Sequence, residues 1–140
     1  MAKKKIEDYP EIQKIIDRLK GGKPSEMIAV FVPSHDRKEK LLQNKEVWEN
    51  QTLKLFGKLF TGATAFTSMS GVYQPTRDSR PLYDNPTMVQ SLTATENLEN
   101  EDNLIEFAEF CRNMGQQTNQ ASIGVVINNK FIDITIDHDD

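Results

Sequence analysis

Six consecutive apolar residues, Met27-Ile28-Ala29-Val30-Phe31-Val32, stop at Pro33 and run straight into Ser34-His35-Asp36-Arg37. A run so uniformly apolar has no face suited to water, so it reads as a central strand with other elements packed on it. Pro33 ends it, because proline has no N–H to continue a ladder. The chain is thereby committed to a covered sheet, and polar side chains stand where that strand exits.

The flanking segments show what covers the strand. Trp48, Thr52, Phe56 and Phe60 form one i, i+4 row, with Leu55 and Leu59 beside it, in a helix starting at Lys45 behind Asn44 as N-cap. Gly62 stands where a helix needs a left-handed terminating residue. Residues 63–73 read as a broken extended segment with Gly71 as a bulge or close-approach point. Pro75, Pro81 and Pro86, mixed with Asp78, Ser79, Asp84 and Asn85, make a loop, and residues 87–95 alternate as a third extended segment.

Residues 96–103 form an acidic connection. Leu104, Phe107, Ala108, Cys111 and Met114 then repeat at three and four, a second covering helix that Gly115 can terminate. Ile123, Val125 and Ile127 alternate, Asn128-Asn129 offers a tight turn, and Ile132, Ile134 and Ile136 return on one face. Ahead of all this, Ile12, Ile15, Ile16 and Leu19 mark a short amphipathic helix, with Pro10 in its first turn and Gly21-Gly22 at its stop.

Leaving that first helix aside, the order is strand, helix, strand, strand, helix, strand. This is the split β-α-β of a ferredoxin-like α+β sandwich, extended here by an N-terminal helix and a C-terminal β-hairpin. Residues 1–25 are the helix and linker, 26–136 a single α+β domain, and 137–140 an acidic tail. The apolar fraction of 37% is modest for a chain of 140 residues, so the core must be economical.

Strand directions in this topology bring three polar segments to one end of the sheet: residues 34–38, the loop carrying Arg77 and Arg80, and residues 117–120. The expected site is His35, Arg37, Arg77, Arg80, Thr118, Asn119 and Gln120, a set with guanidinium forks and side-chain amides suited to an anion or a nucleotide. His35 beside Asp36 suggests acid–base chemistry, but neighbours on an extended backbone point to opposite faces. Asp36 and Ser34 are better read as capping loop amides. The tail residues Asp133, Asp137, His138, Asp139 and Asp140 are assigned no metal. Gly62-Ala63-Thr64 lacks the Lys-Ser/Thr ending of a phosphate-binding loop, and no motif calls for a cofactor.

A net charge of −4 argues against a surface that coats nucleic acid, which needs clustered cations. Cys111 is the only cysteine, so no intramolecular disulfide can form. No apolar run approaches the about eighteen residues of a membrane span. Met1-Ala2-Lys3-Lys4-Lys5 is not followed by a signal-peptide core, and a cytoplasmic protein is the expectation.

The lone Asp36 at the end of the first strand, in this fold order, resembles the Cas2-type ribonuclease family, and that resemblance implies a divalent ion at the strand end. The segments Pro33-Ser34-His35-Asp36-Arg37, Leu55 to Thr64 and Met114 to Gln120 are similar to those of a group of small bacterial α+β proteins with no assigned activity, over residues 30–132. Three functions are therefore expected, in this order: a domain binding an anionic small molecule such as a nucleotide at one end of the sheet; a homodimeric interaction module using the N-terminal helix or the C-terminal hairpin edge; and a phosphoester hydrolase or metal-dependent nuclease using His35 or Asp36.

Overall fold

The computed structural model describes residues 9–20, 22–23 and 25–138. The basic start at Met1 to Lys5, Gly21 and the tail residues Asp139 and Asp140 lie outside them. The elements run α1 (Pro10–Leu19), β1 (Glu26–Val32), α2 (Lys45–Phe60), β2 (Thr64–Phe66), β3 (Gly71–Tyr73), β4 (Leu82–Asp84), β5 (Thr87–Thr93), α3 (Thr95–Glu99), α4 (Glu101–Gln117), β6 (Ser122–Ile127) and β7 (Lys130–Thr135).

Five strands form one antiparallel sheet in the order β2-β5-β1-β6-β7. With β5 counted as the third strand and β6 as the fourth, this is the strand order of the ferredoxin-like sandwich, and β7 is the added hairpin strand. The apolar run is central, as its composition requires: β1 pairs with β5 along its whole length and with β6 on its other side. Ile28, Val30 and Val32 point to the helical side and are fully buried, beside Val89 and Val125 of the neighbouring strands.

Helices α2 and α4 cover that face. Trp48, Thr52, Phe56 and Phe60 of α2 are all buried, so the row read from the sequence is the row that packs. Phe56, Phe60 and Phe107 form an edge-to-face triangle with centroids 5.1, 5.7 and 6.0 Å apart, a geometry that adds about 0.5–1.5 kcal/mol per pair beyond burial. Cys111 and Met114 complete the layer.

Several boundaries differ from expectation for local reasons. The extended segment 63–73 is not one strand: β2 stops at Phe66, and β3 leaves the main sheet to pair with β4 in a separate two-stranded sheet. The third strand ends at Thr93, and α3 occupies part of the acidic connection. Thr61, not Gly62, takes the left-handed conformation after α2, with φ 70°. Lys20 does the same after α1, with φ 53°. Asn44 holds the N-cap position without a side-chain cap bond, whereas Asn100 caps α4 by accepting from the Asn103 N–H. Gly115 does not stop α4, which continues to Gln117 with Gly115 buried against the sheet. At the β6–β7 turn Asn128 has φ 55°, as a tight asparagine turn requires.

Candidate functional site

The helix-free face of the sheet is roofed at one end by the β3–β4 hairpin, and the space beneath is a cleft. Its first cavity, about 360 Å³, lies between Phe31, Pro33 and Phe131 on the sheet and Gly71 to Tyr73, Asp84 and Pro86 on the hairpin. A second cavity, about 300 Å³, continues toward His35, Arg37, Glu39, Leu82 and Tyr83. Tyr73, Asp84, Gln120 and Ser122 line both. The two cavities share one wall, and each mixes rings with polar groups: Phe31, Phe131 and Asp133 in the first, Tyr83, His35 and Arg37 in the second.

The aromatic floor exists because Gly124 has no side chain. A Cβ there would stand 2.9 Å from Phe131 Cε2 and 3.3 Å from Phe31 Cδ2, so the two rings close over the bare backbone of β6. Gly71 plays the same part on the roof, where a Cβ would stand 2.8 Å from Asp84 Oδ1. The Asp84 carboxylate occupies the space that a larger residue at 71 would fill.

A corner of hydrogen bonds ties roof to floor. The Asn85 N–H donates to Ser34 Oγ at 2.8 Å, Lys45 Nζ donates to the Asn85 carbonyl at 2.8 Å, and Ser34 Oγ lies 2.7 Å from His35 Nδ1. Ser34 accepts from Asn85 and has one proton of its own to give. In neutral His35 it is assigned to Nδ1, which leaves the hydrogen on Nε2. The orienting partner of His35 is therefore Ser34, not Asp36.

Asp36 serves its own loop. Its Oδ1 accepts from the Lys40 N–H at 2.9 Å and the Lys38 N–H at 2.8 Å. The Lys40 amide first, then Lys38 and the Asn119 side chain, hold its carboxyl below the usual value of 3.8. Asp84 behaves oppositely: burial raises its carboxyl, only partly offset by the nearby charges of His35 and Lys45.

Of the residues expected at the site, the structure brings His35, Arg37 and Gln120 to the cleft. Asn119 stands behind them in the left-handed conformation, φ 52°, with its carbonyl accepting from the Arg37 N–H at 2.9 Å. Thr118 is buried and its hydroxyl is spent on the Met114 carbonyl at 2.6 Å. Arg80 pairs with Glu39 on the rim. Arg77 sits at the exposed hairpin tip, where Gln74 Nε2 donates to its carbonyl at 2.9 Å. The arginines thus do not converge as an anion clamp.

The walls absent from the expected set are Phe31, Tyr73, Asp84, Ser122 and Phe131. Phe31 was visible as the aromatic member of the opening strand; the others carry no local signal. His138, at the tail, lies 2.6 Å from the Gln120 carbonyl through Nε2 and so braces the same wall. Among the described residues, no three His, Cys, Asp or Glu side chains gather to hold a metal ion, and no helix is long and apolar enough to cross a membrane. A wider concavity of about 510 Å³ on the helical side is lined by Gln51, Lys54, Leu55, Lys58 and Phe110, without converging polar groups.

No family model and no curated protein matches the chain. Two solved structures share its fold. A phage SAM lyase in complex with S-methyl-5'-thioadenosine superposes with a TM-score of 0.55 at 16% identity, over 81% of this chain and 92% of that one. A phage SAM lyase in the apo state gives 0.58 at 16% identity, over 85% and 95%. At this identity the likeness carries the fold and nothing finer.

Proposed function

We propose that the chain binds a nucleoside-like small molecule of the adenosine type in the cleft under the β3–β4 hairpin. The observation that carries this reading is the mixed lining of the cleft, where the rings of Phe31, Tyr73 and Phe131 stand with the polar groups of His35, Asp84 and Gln120. A flat apolar base and a polar sugar ask for both kinds of group, and a largely apolar concavity with a few placed polar groups is the general form of a small-molecule site. A fold neighbour whose complex holds S-methyl-5'-thioadenosine supports the choice of ligand class.

The charges favour a neutral ligand over the anion expected from the sequence. His35 and Arg37 share the second cavity with Asp36, Glu39 and Asp84, and Arg80 is already paired with Glu39. An added phosphate would face carboxylates as well as cations. Calorimetric titration with S-methyl-5'-thioadenosine, adenosine and adenosine monophosphate tests this directly. Saturable binding of the two neutral compounds, with the monophosphate weaker, is the expected result; no binding of any of them at millimolar concentration would end the proposal, and a preference for the monophosphate would restore the anion.

A second reading, self-association, rests on α1. None of its residues is buried, and Ile12, Ile15 and Leu19 are exposed on one apolar stripe. Sedimentation of the full chain separates the cases: a monomer at every concentration removes this reading and leaves the first untouched.

A further inference from the structure

The wall common to the two cavities holds two acceptors that no described residue matches, Gln120 Oε1 and the Asp84 carboxylate, beside the hydroxyls of Tyr73 and Ser122. Gln120 is 9% exposed, and its Nε2 spends both hydrogens, on the His35 carbonyl at 2.8 Å and the Thr118 carbonyl at 3.0 Å. This fixes the amide with Oε1 as its remaining polar atom, and no described residue donates to it. Asp84 is half-buried in the same wall and receives no hydrogen bond from a described residue either. Neither acceptor is sealed from water, so a ligand hydroxyl would take the place of a water on each.

We infer that this wall reads a vicinal diol, with the Asp84 carboxylate and Gln120 Oε1 accepting from the two ring hydroxyls of a ribose. The inference rests on the nucleoside reading above and adds what that reading leaves open, namely which part of the ligand is recognised and by which residues. Position argues for it in a 5'-substituted nucleoside such as S-methyl-5'-thioadenosine, whose ribose lies between base and 5' group as this wall lies between the two cavities. Charge argues against the other donor-rich group, an ammonium, because Lys45 already places positive charge beside Asp84. Gly71 acts as a positioning residue, because only without a Cβ at 71 does the Asp84 carboxylate keep its place.

Titration of the unmodified full chain with adenosine, 2'-deoxyadenosine and 3'-deoxyadenosine tests the inference without any substitution. Loss of either hydroxyl is expected to weaken binding by roughly 10- to 100-fold, the worth of a hydrogen bond to a charged or pre-positioned acceptor. Asp84→Ala should bring adenosine and one of the two deoxy forms to nearly equal affinity while the other stays weaker through Gln120, and Gly71→Ala, which displaces the carboxylate without removing it, should reduce the same discrimination. If adenosine binds and both deoxy forms match it within about twofold, the diol inference is wrong and the nucleoside reading survives. If adenosine and S-methyl-5'-thioadenosine both fail to bind, the two fall together.

Discussion

The same substitution, glycine to alanine within a helix, should have opposite effects at two positions of this chain. Gly57 lies in the exposed face of α2, and a Cβ there meets nothing within 4 Å. Alanine at 57 should therefore gain the ordinary helix preference over glycine, about 0.8–1 kcal/mol. Gly115 in α4 is buried, and a Cβ there would stand 2.5 Å from Ile136 Cγ1, closer still to its Cδ1, and 3.2 Å from Ile123 Cγ1. Carbon atoms are normally about 3.5–4.0 Å apart, so Ile136 must move out of the way.

Ile136 is 6% exposed, and surrendering its burial costs about 1.5–3 kcal/mol. The helix preference returns about 1 kcal/mol of that, which leaves Gly115→Ala destabilised by about 0.5–2 kcal/mol. For a domain of this size each kcal/mol moves the melting temperature by about 3–5 °C, so the two variants should melt on opposite sides of the wild type. Calorimetric melts of Gly57→Ala, Gly115→Ala and the parent chain read this out. The displaced segment also carries the Ile136 N–H bond to the Ala121 carbonyl, 3.0 Å, so amide NMR shifts at Gln120 and Ala121 should accompany the loss. A Gly115→Ala protein melting at or above the parent would refute the reasoning, because Ile136 would then have no close seat on α4.

Three further outcomes are expected. Asp36→Asn should lower the melting temperature at neutral pH: the folded carboxyl titrates below 3.8, so its contribution is present above that value and is lost as the pH falls through the folded titration, where the variant and parent melts should converge. Thr87 is fully buried and its hydroxyl has no partner among the described residues, so Thr87→Val should be neutral or stabilise the chain by up to about 1 kcal/mol in denaturant titrations; a clear loss would mean the hydroxyl has a partner. Burial pushes the Cys111 thiol up to about 12, so it should resist thiol reagents at pH 8 until the chain unfolds, and rapid labelling of the native protein would contradict its place in the core.

Much of the architecture can be read directly from residue spacing. The unbroken run 27–32 demands a buried strand, the Trp48, Thr52, Phe56, Phe60 row demands a helix facing it, and the Ile123, Val125, Ile127 alternation demands an antiparallel neighbour; each finds its expected place. These patterns are short-range, set by the periods of helix and strand, and burial of apolar faces leaves few ways to assemble them. The same logic placed His35, Arg37 and Gln120 at one sheet end. It misplaced the ends of elements, because a contact decides them: α4 runs through Gly115 since that glycine is where Ile136 and Ile123 approach.

The cleft itself was decided only by the tertiary structure. Residues 74–86 look like a proline-rich loop, yet residues 82–84 form β4, which pairs with β3 to make a roof over the sheet. Phe31, Tyr73, Asp84, Gln120 and Phe131 come from distant parts of the chain, and no spacing rule relates them. They meet because β1 and β6 are sheet neighbours, because β7 folds back on β6, and because Ser34 and Asn85 hold the hairpin over that end. Local sequence determined which faces are apolar, and long-range pairing determined which polar groups share a wall.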